Sequence, residues 1–473
     1  MIFFPLLSAG AAGLIPSNRI RPWVLPLTGS IHLFLTVLVL MKPELGFGGE
    51  WLVLDPVGRI ALLAVSSLFF FSSFHVVGYL KKKSDRSNRI FVICFSGFLG
   101  VMTLVTWSHH LGLMWVAIEA TTLVSAPLVY FDHSHRSIEA AWKYLLICSV
   151  GIALALLGSF FLAYSSLYAG GQPSLGFEEL LRQAPNLSRT WLHAAFVMML
   201  VGYGTKMGLA PMHTWLPEAH SEAPASVSAL FSGALLICAF LAILRIYQIG
   251  EAAGELAFIS PLMIFMGLFS MAVAAVFMAG QKDFKRMLAY SSVEHMGILS
   301  LGIGIGGAAL FGTIFHILTH AAAKGLLFLA AGNLYAAYGS KSTDDVSGAL
   351  QRMPLSGTLF LAGFVAIVGS PPFGPFISEF SILNAVFSTG HYLTGGLFLA
   401  LLLIIFMGMG STVLKVVQIR GTETGLQPVF KEDFLSAAPP VFLLAIVLLL
   451  GLYIPPPLKA LIDDAVVYLG GAL

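Results

Sequence analysis

Apolar stretches long enough to cross a membrane recur from residue 2 to residue 453, each closed by glycine, proline or a knot of charge. They predict an all-α integral membrane fold of about fourteen helices, numbered here as spans 1–14. These cover 2–16, 22–41, 57–80, 90–107, 109–130, 141–166, 190–210 with a broken continuation to 231, and 232–248. They continue over 257–279, 284–305, 307–337, 355–387 with a break at Pro371-Pro372, 393–416 and 435–453. Span 7 breaks at Gly208-Leu209-Ala210-Pro211 and span 12 at Gly369-Ser370-Pro371-Pro372, five spans later. That echo suggests two five-helix repeats, spans 4–8 and 9–13. An odd number of crossings per repeat forces inverted topology. Ordinary proline kinks are the plainer alternative. The chain then divides into an N-terminal three-helix segment (1–89), a first repeat (90–250), a second repeat (251–417), and a last part (418–473) with a cytoplasmic connection, the final helix and a short tail.

Charge orients the array. Connections after the odd-numbered spans carry most of the Lys and Arg, led by Lys81, Lys82, Lys83, Arg86 and Arg89, whereas those after spans 4, 10 and 12 carry none. The basic loops therefore face the cytoplasm, and both termini face outward.

Composition narrows the function. Only 10% of residues are charged and 58% are hydrophobic, against about 25% charged in a soluble domain. A soluble enzyme is excluded, and so is a single anchor carrying a large aqueous domain. The net charge of +2 gives no reason to expect nucleic acid. Cys94, Cys148 and Cys238 lie scattered in apolar runs and read as small hydrophobes. The first residues place Arg19 and Arg21 after the apolar stretch, unlike a cleavable signal. There is no phosphate loop, CxxC pair or aqueous nucleophile motif, so redox or hydrolytic chemistry would fall to a partner.

Four charges sit where lipid should be: Glu119, Lys206, Lys324 and Glu379. Facing lipid unpaired, they would cost on the order of 10–14 kcal/mol together. They must turn inward, either as structural ion bridges or as functional groups; because buried pairs stabilise poorly, function is favoured. His316, His320 and Lys324 stand at i, i+4 and i+8, one face over roughly 12 Å of helix rise. Such a column suits proton hopping through water. Histidines bonded to carbonyls are the bland alternative. A metal pair is another, although no third ligand is close in sequence and Lys324 would repel a cation. HTWLPEAHSEAPAS, residues 213–226, adds His213, Glu218, His220 and Glu222 as a hydrated vestibule or a solvated loop. Asp283 opens span 10 beside Lys282, Lys285 and Arg286, which read as topology signals. Glu139 and Lys143, at i and i+4, suggest an inlet salt bridge.

WVAIEATTLVSAPLVYF, GTKMGLAPMHTWLPEAHSEAPASVSALFSG, KDFKRMLAYSSVEHMG, HILTHAAAKGLLFLAAGN and SPPFGPFISEFSIL together resemble the proton-translocating antiporter-like membrane subunits. That family is shared by respiratory complex I, Mrp-type antiporters and group 4 hydrogenases. The resemblance spans roughly residues 50–415, and EATTL, EAAWKYLLICSVGIA and PPFGPFISEF are most similar to the F-type subunit of hydrogenase-4. It implies that Glu119 pairs with Lys206, that His316, His320 and Lys324 form a central relay, and that Glu379 is the terminal site. It also implies neighbouring membrane subunits and a peripheral redox arm, with nickel-iron and iron–sulfur centres held by those partners and no cofactor in this chain. One departure stands out. Complex I members carry a lysine on span 8 where this chain has Leu236-Ile237-Cys238, so water or His316 would have to bridge the gap. The absence of a long lateral arm after span 14 suggests a mid-array or sole antiporter-like subunit. A sodium/proton antiporter subunit, a complex-I-like pump and an inactive scaffold remain the alternatives.

Overall fold

The structure, a computed structural model, describes residues 1–83, 86–168, 170, 173–418 and 432–471. Among these the chain is helical, with isolated β-bridges such as Leu52–Ser108 pinning loops. Eleven helices are long and apolar enough to cross a membrane. The other three spans fall short for separate reasons. Span 1 is only Phe3–Leu14, span 10 carries Lys285, Arg286 and Glu294, and span 12 is split into Pro354–Ile367 and Gly374–Ser388.

Local chemistry sets the ends. Asp55, beside Pro56, caps span 3 (Pro56–Lys82) by accepting from the Gly58 amide at 2.6 Å. Asp283 caps span 10 (Phe284–Ile305) through the amides of Lys285 and Arg286 at 2.8 and 3.0 Å. Both predicted breaks are present and share one design. The first half of span 7, Arg189–Met207, ends at Gly208 with φ 84°, three residues before a cis Ala210-Pro211 bond. The first half of span 12 ends just before Gly369, with φ 67°, three residues before a cis Pro371-Pro372 bond. A left-handed turn at each elbow is where glycine is needed.

Three expectations change. The second half of span 7 is Trp215–Glu222 and stops at Ala223-Pro224; residues 225–231 belong to span 8, not span 7. Pro224 disfavours helix in the residue before it and opens the next helix, a boundary that the continuous apolar run conceals. Span 8 runs Ala225–Leu230, a π-turn Phe231–Leu235 and Leu236–Ala252. The short tail is instead an amphipathic helix, Pro456–Tyr468, which buries Ile462, Ala465 and Val466. The backbone carbonyl of Tyr468, its last residue, accepts from the Gln248 side-chain amide at 2.9 Å. The connection expected after span 13 falls mainly outside the described residues.

Burial orders the bundle. Spans 8 and 11 (Ala309–Tyr338) are its inner pillars, their most apolar windows wholly buried. Spans 6 (His135–Tyr168), 9 (Leu256–Met278) and 13 (Tyr392–Val417) bury less than half of theirs. Their exposed faces, with Leu146, Phe265 and Leu403, are what lipid would cover.

Candidate functional site: a buried line of titratable side chains

The first cluster lies where span 7 breaks. Lys206 sits in the last turn of its half-helix, where unpaired carbonyls favour a cation. It is fully buried; its ammonium donates to Thr122 Oγ1 at 2.8 Å and to Tyr144 OH at 2.7 Å. Tyr144 OH also meets Ser125 Oγ at 2.7 Å, and the lysine nitrogen lies 4.5 Å from the Tyr144 ring centroid. Glu119, on span 5 (Leu111–Val129), is only half-buried. Its carboxylate accepts from Ser149 at 2.7 Å and, at 3.5 Å, from Thr122. Thr122 therefore stands between Glu119 and Lys206, and the two charges are relayed through a hydroxyl rather than in contact.

The second cluster gathers around span 11. His316, His320 and Lys324 are all fully buried on its inner face. Lys324 donates to the Leu288 carbonyl at 3.1 Å. His316 binds Ser378 Oγ through Nδ1 at 2.8 Å and meets His295 Nδ1 through Nε2 at 3.1 Å. His295 Nδ1 is 3.8 Å from Glu379 Oε1, and the His320 ring centroid is 5.2 Å from that of His295. Glu379 folds back to the elbow: a Cβ added to Gly369 would lie 2.1 Å from its Oε2. Glu379 Oε1, His295 Nε2 and both nitrogens of His320 have no hydrogen-bond partner among the described residues. Buried polar atoms are almost always paired, so this cluster calls for water.

Glu294 and His295 were missed in the sequence. Both are buried on span 10, with Glu294 Oε2 4.0 Å from His295 Nε2. The criterion that singled out Glu119 and Glu379, a charge in mid-span, applies equally to Glu294; the basic start of that span drew attention away. The fold also supplies what the metal alternative lacked. His295, His316 and Glu379 offer ligand atoms within 4.8 Å of one another, enough for a divalent ion, with Lys324 in electrostatic reach to oppose it.

On the expected cytoplasmic side, a cleft of about 370 Å³ brings Glu139, Lys143, Glu218, Glu222 and Asp283 together. Lys143 bridges Glu139 and Glu218, each at 2.8 Å, and Lys341 meets Glu222 at 2.7 Å. Asp283 is occupied as a helix cap and accepts from Ser221 at 2.7 Å. His213 lies apart, against the rings of Tyr290 and Phe277. Lys285 is no exposed topology signal. It is buried and donates to the Ser221 and Ala223 carbonyls at 3.0 and 2.6 Å. A further buried ion pair, Arg245–Asp55 at 2.5 Å with His109 3.6 Å from the carboxylate, joins residues 190 positions apart.

Residues 108–408 match the family described as NADH:quinone oxidoreductase/Mrp antiporter, membrane part. A protein of Methylacidiphilum infernorum (isolate V4) named as a hydrogenase-4 component F homolog is 33% identical over 470 residues, covering 96% of each chain. Among solved structures, a chain of the archaeal membrane-bound sulfane sulfur reductase superposes with TM-score 0.89 at 20% identity, covering 99% of this chain and 96% of that one. A chain of the Mrp complex from Dietzia sp. DQ12-45-1b gives 0.86 at 20% identity, covering 98% and 95%. The chain belongs to the NADH:quinone oxidoreductase/Mrp antiporter membrane family. It is a multi-pass, antiporter-like membrane subunit of the kind shared by complex I, Mrp antiporters and group 4 hydrogenases.

Proposed function

We propose that this chain translocates protons as a membrane subunit of a hydrogenase-4/formate-hydrogenlyase-type complex, driven by electron transfer in partner subunits. The two half-channels are residues 90–250 and 251–417, arranged as inverted repeats. The observation that carries the reading is a chain of fully buried titratable groups, Lys206, His295, His316, His320 and Lys324, inside a largely apolar bundle. So many desolvated polar groups are expensive to keep unless they are used. Full-length similarity to a hydrogenase-4 component F homolog supports the choice of complex.

The chemistry follows from the geometry. Glu119, acting through Thr122, favours the charged form of Lys206. Drawing that carboxylate away weakens the Coulomb attraction in a medium of low dielectric, and Lys206 releases its proton inward. The proton reaches Lys324, passes along His320, His316 and His295, and leaves by way of Glu379. The cleft around Glu139, Lys143, Glu218 and Glu222 refills Lys206 from the cytoplasm, with Asp283 and His213 flanking that inlet.

The test uses the intact complex in proteoliposomes. Lys206→Ala and Lys324→Ala are each expected to cut pumping to below about a tenth, in line with loss of a proton-transfer group, while electron transfer stays measurable. Wild-type pumping in both overturns the reading. Nickel and iron in the affinity-purified assembly identify the hydrogenase type. A nickel-free redox complex replaces it with a complex-I-like pump, and small membranous partners alone replace it with a sodium/proton antiporter.

A further inference from the structure

Between Lys206 and Lys324 the inner pillar, span 8, offers no charged side chain until Arg245, seven residues beyond Cys238. We infer that His220, on the second half of the broken span 7, is the group that carries the proton across this gap. The inference rests on the proton-translocating reading above.

His220 touches the surroundings of both lysines. Its ring stacks on Phe328, 4.8 Å between centroids and 15° between planes. Phe328 lies one turn beyond Lys324 on span 11. On the other side the His220 ring meets Phe231 edge-on at 6.0 Å, and Phe231 packs 5.5 Å from Tyr144, whose hydroxyl holds the Lys206 ammonium. Lys324 and Lys285 are both in electrostatic reach of the imidazole.

The imidazole is also idle as a structural group. His220 is fully buried, yet neither ring nitrogen has a hydrogen-bond partner among the described residues. Leaving a buried polar atom unsatisfied costs about 1–3 kcal/mol, a penalty that water removes where there is polar lining to hold it. Polar groups stand next to the ring's neighbours in the chain: Ser228 donates to the His220 carbonyl at 3.0 Å, and Ser232, beside Phe231, meets Ser292 at 2.7 Å. Ser232 lies in the π-turn of span 8, a helix defect often found at functional sites. His316, the other imidazole considered for this step, has both nitrogens engaged by Ser378 and His295.

The step balances. The Lys206 ammonium gives a proton, through water, to one ring nitrogen of neutral His220. The opposite nitrogen gives its own proton, through water, to the Lys324 amine. Lys206 ends neutral and Lys324 ends charged; His220 ends as its other tautomer, and passage of one proton from one ring nitrogen to the other through water restores the first.

The test again uses the intact complex in proteoliposomes. His220→Phe keeps the ring on Phe328 and removes both nitrogens. Pumping is expected to fall to below about a tenth while assembly and measurable electron transfer persist. Adding Cys238→Lys, on span 8 within electrostatic reach of Lys206, supplies another titratable group and is expected to recover pumping. No recovery overturns the bridging role and leaves His220 a packing residue. If His220→Phe does not assemble, His220→Gln decides: it keeps hydrogen bonding and cannot titrate, so lost pumping supports the inference and retained pumping overturns it. Full pumping in His220→Phe alongside loss in Lys206→Ala overturns this inference alone; full pumping in both overturns the pump itself.

Discussion

The two broken spans carry opposite charges on elbows of the same construction, and they treat those charges differently. Lys206 comes just before its elbow, in the last turn of a half-helix, and hydroxyls of Thr122 and Tyr144 accept from its ammonium. Glu379 comes after its elbow, in the second turn of Gly374–Ser388, and its side chain reaches back so that one oxygen has no hydrogen-bond partner among the described residues. The first site is a satisfied cation with a half-buried carboxylate at one remove. The second is a carboxylate among imidazoles, short of hydrogen-bond donors. On the proposed reading the first half would hold a proton and the second would await one, so that equivalent backbone elbows would serve as storage in one half and as an exit in the other.

The largest test of that contrast compares the carboxylates. Glu379→Gln removes a buried carboxyl and is expected to lower pumping about a hundredfold. Glu119→Gln, acting through Thr122, is expected to lower it only several-fold on the same scale. Equal effects, measured as proton uptake per electron in proteoliposomes, would break the contrast. A smaller effect separates the elbows themselves. Alanine at position 208 or 369 must adopt a left-handed conformation, costing roughly 1–2 kcal/mol in either. At Gly208 the added carbon meets the flexible tip of Leu216, at 2.5 Å, whereas at Gly369 it meets the Glu379 carboxylate. Thermal stability in detergent is expected to fall similarly for both, with pumping lost beyond that only in Gly369→Ala.

The smallest effect is at Asp433, which caps span 14 (Phe434–Leu452) beside the second half and accepts from the Ser436 amide at 2.9 Å. Burial pushes its carboxyl up, but the hydrogen bonds from Ser436 and the charges of Lys82 and Lys81 hold it below the usual carboxylate range. Asp433→Ala is expected to cost about 1 kcal/mol at neutral pH. Because the folded pKa is depressed, the cap's contribution is complete above the unfolded value of about 3.9. It is lost as pH falls through the lower folded value. Melting of wild type and variant is therefore expected to converge in acid, and a gap that persists there would assign the loss to packing.

The spans and both elbows were legible because apolar length and Gly/Pro punctuation are properties of the chain itself. The junction of spans 7 and 8 was not, since Pro224 divides a run that is apolar on both sides. Pro456–Tyr468 escaped notice because its helix is short and only one stripe of it is buried. Within the site, Lys206, Lys324 and Glu379 announced themselves by charge in mid-span. Glu294 carries the same signal, masked by the basic residues that open its span. The placement of Thr122 between Glu119 and Lys206, and the union of Asp55 with Arg245, depend on how distant helices meet, which no local pattern encodes.

Gly369 gives Glu379 its seat by having no side chain of its own. The carboxylate is therefore tethered to a hinge: its position and the bend of span 12 form a single mechanical coordinate. Straightening the elbow would push the carboxylate out of its recess, and moving the carboxylate would relax the bend. A shift along span 12, from whichever neighbour drives it, would then act on the outgoing proton directly, as a lever acts on a latch.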